Sequence, residues 1–290
     1  MSPTVGFFGT TGTVGSALLP ELVKANKDGK IKLVILHRES TDLSKLPKEL
    51  ETRVLDLSEA GLEKNKAALK DFDVVVSSVG APGIDSQNYI VEALVGSANL
   101  KTFIPSDFGT NWTEKELEAP GLADIKQKLA VVSKAKSLGV PITQIRVGLF
   151  DQFFFAYKAV GVDVQGNTIQ KFRNNIQAPF RITTLAYLAY AVAKFVGDES
   201  TLTKLANETV VLYDYTPTGQ EIVDTLTKIH GKPTEISEYP ENQYQEDLQG
   251  PYAIGAALKA QWGNNSWGAT ATEVEGWQTK SYEELFRQWL

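Results

Sequence analysis

Residues 6–15 read GFFGTTGTVG, and no other stretch limits the possible folds so strongly. A short apolar run ends in glycines at 9, 12 and 15, and a helix-patterned segment, SALLPELVKANK (16–27), follows at once. A strand that turns through glycines into a helix is the phosphate-binding corner of a βα unit. One glycine makes the tight turn, one lets the ligand approach the backbone, and one lets helix and strand pack closely. Gly9, Gly12 and Gly15 supply all three. N–H groups at the start of the helix, reinforced by its dipole, then face an anion. No GK[ST] follows, which argues against a Walker-type site.

The rest of the first half repeats that alternation. VGFFG (5–9), IKLVIL (31–36), TRVLDL (52–57), DVVVSSVG (73–80), KTFIP (101–105) and PITQIRVG (141–148) read as buried strands. Helical patterns lie between them at 16–27, 59–71, 85–100 and 122–139. Strand, helix, strand at this spacing predicts an α/β fold with a doubly wound, Rossmann-type parallel sheet. After Gly148 an aromatic cluster, FDQFFFAY (150–157), opens a region with more loop. Helices are expected from about Thr184 to Phe195, over 220–230 behind a Thr218/Glu221 capping box, and at the C-terminus behind Ser281/Glu284. We expect a dinucleotide-binding domain over 1–150 and a smaller α/β substrate region over 151–290. ETVVLYDY (208–215) is expected to return to the sheet as an added strand.

Composition excludes several classes. Twenty-nine Lys+Arg against 35 Asp+Glu gives a net charge of −6 without a basic run, so nucleic acid is not an expected partner. The most apolar helical stretch, LAYLAYAVA (185–193), is too short to cross a bilayer, so no membrane association is expected. The N-terminus lacks a signal-peptide layout, and there are no cysteines; together these predict a cytoplasmic protein. With two histidines in the chain, no metal site is expected.

The tip of the second strand, LHRES (36–40), chooses between cofactors. A carboxylate there takes the ribose hydroxyls of NAD, and a cation takes the additional phosphate of NADP. Arg38 presents a planar, permanently charged fork and favours NADP(H), while Glu39 keeps NAD open. His37 is read as a loop residue near the adenine or in solvent. The cofactor set is therefore Gly9, Thr11, Gly12, Thr13, Val14, Gly15 and Arg38. Ser78, Val79 and Gly80 from the fourth strand, Ser106 beyond the fifth and Lys128 from the helix over 122–139 complete it.

GTTGTVG, HREST, VVVSSVG and FIPSDFG (103–109), in this order, resemble the NmrA-like, isoflavone-reductase-like branch of the atypical short-chain dehydrogenases. The likeness runs almost end to end, through GVPITQIRVGLFDQFF and the closing SYEELFRQWL. It implies NADPH, a substrate cleft between the two regions, secondary-metabolite chemistry like that of phenylcoumaran benzylic ether, pinoresinol and isoflavone reductases, and one catalytic lysine. The family spacing back from Gly139 lands on Lys128, with Lys126 as the rival. Helical geometry agrees, since Ile125, Leu129 and Val132 form an apolar stripe that Lys128 borders. A lysine beside apolar surface is partly desolvated and exchanges protons nearer neutrality; the alternative is a lysine whose stem lies on that surface with its head in water.

Tyr190 and Lys194 make a YxxxK pair, but they follow the sixth strand by some forty residues, where a packed tyrosine and an exposed helix-end lysine are expected. Asp107 and Phe108, with Phe150, Phe153, Phe154 and Tyr157, are candidates to meet a planar substrate, or else turn and core residues. The reading is an NADPH-dependent reductase of a small aromatic or heterocyclic molecule, a monomer or homodimer, with Lys128 as general acid/base. The alternatives are a non-catalytic NADP-binding sensor and a redox-neutral isomerase or cyclase.

Overall fold

The computed structural model describes residues 2–290. Five parallel strands form the main sheet in the order β3-β2-β1-β4-β5. These are β1 (Thr4–Phe8), β2 (Lys32–His37), β3 (Glu51–Val54), β4 (Val74–Ser77) and β5 (Thr102–Ile104). Continuous apolar runs such as VVVS in β4, buried at every position, are what a sheet covered on both faces requires. Helix α1 (Thr13–Lys27) follows β1 directly and buries Leu18 and Leu22. Its internal Pro20 is exposed, so the carbonyl left without an intrahelical donor meets water. On one face of the sheet, Val34, Leu36, Val75 and Phe103 pack with Leu69 of α2 (Leu62–Leu69) and with Ile90, Val91 and Leu94 of α3 (Gln87–Leu94). Val131, Val132 and Ala135 of the long helix Ala123–Ser137 join the same cluster.

Several elements are shorter than their sequence patterns. The 59–71 pattern becomes a 3₁₀ turn, Glu59–Gly61, and then α2. The 85–100 pattern is preceded by a 3₁₀ segment, Ala81–Ser86, and stops where Val95 turns extended and Gly96 takes φ 72°. Past β5, Ile142 bridges Phe103 in parallel, and strand β6 (Gln144–Val147) begins. The strand Thr209–Leu212, within the 208–215 stretch, pairs with β6 in a two-stranded sheet distinct from the five-stranded one, and Gln144 N donates to Glu208 O at 2.9 Å.

The chain divides into two compact units, and neither is a continuous stretch. The first takes the residues up to Phe108, then Lys126–Ile145 and Leu188–Val210; the second takes Gly109–Ile125, Arg146–Tyr187 and Val211–Leu290. A single cut near residue 150 does not describe this, because segments from beyond it complete the first unit. The second unit has an aromatic core in which Phe154, Phe180, Trp262 and Phe286 are wholly buried. Phe180 meets Trp262 and Trp267 edge-on at 5.0 and 5.1 Å. A three-stranded sheet lies in this unit, with Thr168–Lys171 between Glu235–Glu238 and Val162–Asp163. The expected helices Leu185–Val196, Gly219–His230 and Tyr282–Arg287 are present, the last two with complete capping boxes. Among the described residues no helix is long and apolar enough to cross a membrane.

Candidate functional site

At the corner between β1 and α1, Gly9 takes φ +95°, a conformation that side chains rarely adopt. A Cβ on Gly15 would stand 1.9 Å from the Gly9 carbonyl oxygen, so helix and strand meet at a distance that glycine alone allows. Gly12 caps α1 in an extended conformation with no side-chain cap bond, and the first turn holds no acidic residue. The leading N–H groups are therefore available to an anion, and no carboxylate competes for them. Ser78 Oγ donates to Gly9 O at 2.8 Å and fixes the turn to the end of β4.

This corner opens into a cavity of about 720 Å³ that lies wholly within the first unit. One wall is Gly9, Thr10, Thr11, Gly12 and Ser16; a second, meeting it at Ser78, is Ser78–Gly80, Pro82, Gly83 and Ser86. The far end is lined by His37, Arg38, Ser40, Thr41, Asp42 and Lys45. His37 Nδ1 lies 2.9 Å from Arg38 O, and since a carbonyl only accepts, that nitrogen carries the proton. Asp42 accepts from Ser44 N, and this bond holds its carboxyl below the usual carboxylate range, so the end carries two cations and one anion. The cavity's size suits a dinucleotide, with bare amides at one place and a guanidinium and an ammonium at another.

Beyond β5, the loop 105–108 makes a second set of contacts. Ser106 N donates to Gln87 Oε1 at 2.7 Å, and Ser106 Oγ donates to Val79 O at 2.7 Å. Asp107 is 1% exposed, and its Oδ2 accepts from Gln144 Nε2 at 2.9 Å. Phe108 holds φ 38°, left-handed for a residue with a bulky side chain. Lys128, half-buried, donates from Nζ to Asp107 O at 3.1 Å, whereas Lys126 is exposed.

The NmrA-like family model matches residues 1–289. The chain belongs to the NmrA-like family. Among curated relatives, isoflavone reductase homolog P3 of Arabidopsis thaliana is 26% identical over 212 residues, 66% of this chain and 62% of that protein. Phenylcoumaran benzylic ether reductase POP1 of Populus trichocarpa is 25% identical over 266 residues, 86% of this chain and 82% of that one. The first match thus spans less than two thirds of its relative. The complex of leucoanthocyanidin reductase and NADPH from Vitis vinifera superposes with a TM-score of 0.75 at 18% identity, covering 99% of both chains. That likeness is one of fold.

Within this NmrA-like chain the sequence-based site residues fall into groups. Gly9, Thr11, Gly12, Arg38, Ser78, Val79 and Gly80 line the cavity. Thr13, Val14 and Gly15 form the first turn of α1 behind it. Ser106 is 4% exposed and not in the lining, since its hydroxyl is engaged by Val79 O. Glu39 is exposed and does not line the cavity either. Of the aromatic candidates, Phe154 is wholly buried against Phe155, Phe180 and Phe286, and Phe150 is 8% exposed in a strand pair with Ile182–Thr183. Phe153 and Tyr157 stack on each other at 5.3 Å and are 39% and 63% exposed. The apolar stripe of the long helix is centred on Ile125, Val131, Val132 and Ala135, with Leu129 only half-buried. Tyr190 is half-buried and Lys194 exposed. Sequence reading missed Lys45, whose only signal is a cation seven positions after Arg38 in a turn-rich segment, and Gln87, which reads as one polar residue at a helix start.

Proposed function

We propose that this protein is an NADPH-dependent reductase acting on a small aromatic or heterocyclic substrate, with Lys128 moving the proton that accompanies hydride transfer. The observation that carries the reading is the single cavity that holds both the uncapped glycine corner and the Arg38/Lys45 end. In the reading, the amides of Gly12 and the first turn of α1 hold the pyrophosphate. Arg38 and Lys45 hold the 2′-phosphate, which NADH lacks. Bound NADPH supplies the hydride.

The chain's own residues supply position and the proton. Asp107 O accepts a hydrogen bond from Lys128 Nζ at 3.1 Å and so restrains the direction of the ammonium group. Gln144 in turn restrains the Asp107 side chain from β6. Named relatives such as phenylcoumaran benzylic ether reductase support an aromatic substrate, and the leucoanthocyanidin reductase complex supports the choice of cofactor.

The test is incubation with NADPH and a panel of aromatic enones, quinone methides and cyclic imines, following absorbance at the reduced nicotinamide band and product mass. Cofactor oxidation that is lost in Lys128→Ala, with NADPH affinity retained, is the expected result. Product formed without oxidation identifies a redox-neutral isomerase or cyclase, and tight NADPH binding with no product across the panel identifies a sensor; either overturns the reductase reading.

A further inference from the structure

We infer that Gln87 is a positioning residue that sets the cofactor cavity's second wall and Lys128's acceptor in one register; this rests on the reductase reading above. Gln87 opens α3 and is fully buried, 0% exposed, an unusual place for a carboxamide unless its bonds are used. They are. Nε2 donates to Ile84 O at 3.3 Å, inside the 3₁₀ segment whose Pro82, Gly83 and Ser86 line the cavity. Oε1 accepts from Ser106 N at 2.7 Å, and Ser106 Oγ donates to Val79 O, another lining residue.

The Gln87 amide therefore ties the segment 79–86, at Ile84, to the loop 105–108, at the Ser106 amide. The Ser106 hydroxyl adds a second, parallel tie to Val79, so the two elements are joined on both sides of the same residue. The next residue in that loop is Asp107, whose carbonyl receives the Lys128 ammonium. Hydride and proton transfer need the wall and the lysine fixed relative to each other, and a shift of either by a fraction of an ångström is felt in rate. Every group in the chain Val79, Ile84, Gln87, Ser106, Asp107, Lys128 belongs to the first unit.

Gln87→Met keeps the length and removes both bonds. Gln87→Glu accepts from Ser106 N in either charge state but donates to Ile84 O only when protonated. With the full-length protein and NADPH as probe, Gln87→Met is expected to raise Kd about tenfold and to lower kcat at saturation by a similar factor, the cost of one buried N–H left without its acceptor. Ile90→Val, a core change in the same helix, is the control for plain loss of stability and should lower Tm while leaving Kd and kcat of the folded protein unchanged.

The distinguishing readout is the ratio of the Gln87→Glu Kd to the wild-type Kd between pH 5.5 and 8.5. It should stand near one at the acid end and rise as the new carboxyl ionises against the Ile84 carbonyl. Should Gln87→Met not fold, Ser106→Ala, which loses only the bond to Val79 O, must show the same direction in Kd. A flat ratio near one, or variants whose Kd and kcat match wild type, overturns the inference while leaving the reductase reading intact. Wild type that fails to bind NADPH overturns the reading itself.

Discussion

Asp214→Asn should change the sign of its effect on stability with pH. Asp214 Oδ1 accepts from Thr184 N at 2.8 Å and Oδ2 from Thr184 Oγ1 at 2.6 Å, at the start of the helix Leu185–Val196. Burial pushes its carboxyl up from the ordinary 3.8 to about 6, against the pull of those bonds, and the neighbouring Asp151 carboxylate adds to the rise. Burial raises Asp151 as well. A carboxyl raised on folding binds more protons in the native than in the unfolded chain between the two values. Unfolding free energy therefore falls as pH climbs from about 3.8 to about 6 and is flat above that. The displacement amounts to about 3 kcal/mol of native-state cost at pH 7.5 that is absent at pH 3.5. Asparagine carries no charge and still accepts from Thr184 N, but it strands the Thr184 hydroxyl proton, at about 1 kcal/mol. Asp214→Asn should thus be more stable than wild type by about 2 kcal/mol at pH 7.5 and less stable by about 1 kcal/mol near pH 3.5. All five tryptophans lie in the second unit, with Asp214, so urea unfolding followed by tryptophan fluorescence reads the right part of the molecule. A difference of constant sign and size across that range would refute the reasoning.

Three further outcomes follow from the structure. Arg38→Ala should weaken NADPH binding by about ten- to a hundredfold and leave NADH unchanged, the loss expected of one charge-assisted contact to phosphate; calorimetry with both nucleotides checks it. Gly15→Ala places a methyl group 1.9 Å from a backbone oxygen, so α1 must move away from β1. Both a stability loss of about 3 kcal/mol and loss of nucleotide binding are expected, measured by Tm and fluorescence titration. Lys259 is 7% exposed, lies 3.7 Å from the Tyr239 ring centre and donates to Gln170, and burial lowers its pKa from 10.5 to about 8. A base lowered on folding favours the neutral form, so its contribution to stability grows as pH rises from about 8 to 10.5, and Lys259→Met should abolish that rise in urea titrations at pH 7.5 and 10.

What could be read in advance divides by physical cause. The main sheet was legible because β1, β2, β4 and β5 are almost wholly buried runs, so local preference and tertiary fate coincide, whereas β3 (ETRV) buries no residue. Thr218/Glu221 and Ser281/Glu284 stood out for the same reason. The second unit's small sheet was not legible. Glu235–Glu238 reads EISE and is exposed at every position, so its pairing with Thr168–Lys171 leaves no alternation in the sequence. The helix Ala253–Asn264 also escaped notice, being buried nearly all round with no side-chain cap. At the site, Arg38 could be found because it directly follows the end of β2, whereas Lys45 follows in a loop of no fixed period. Gln87 could not be found, because its importance lies in two main-chain partners, one of which is distant in sequence.

The interleaving of the two units bears on how the protein can be made. A ribosome delivers the chain from one end, and the first unit is not finished until Leu188–Val210 has emerged, well after much of the second has been synthesised. Until then β6 lacks its partner strand, Thr209–Leu212, so a nascent chain halted near residue 150 carries β6 with its pairing edge unsatisfied. The residues that line the cavity, Phe8 to Ser86, thus emerge long before the unit that carries them is complete, and severing the gene at its midpoint parts them from Leu188–Val210.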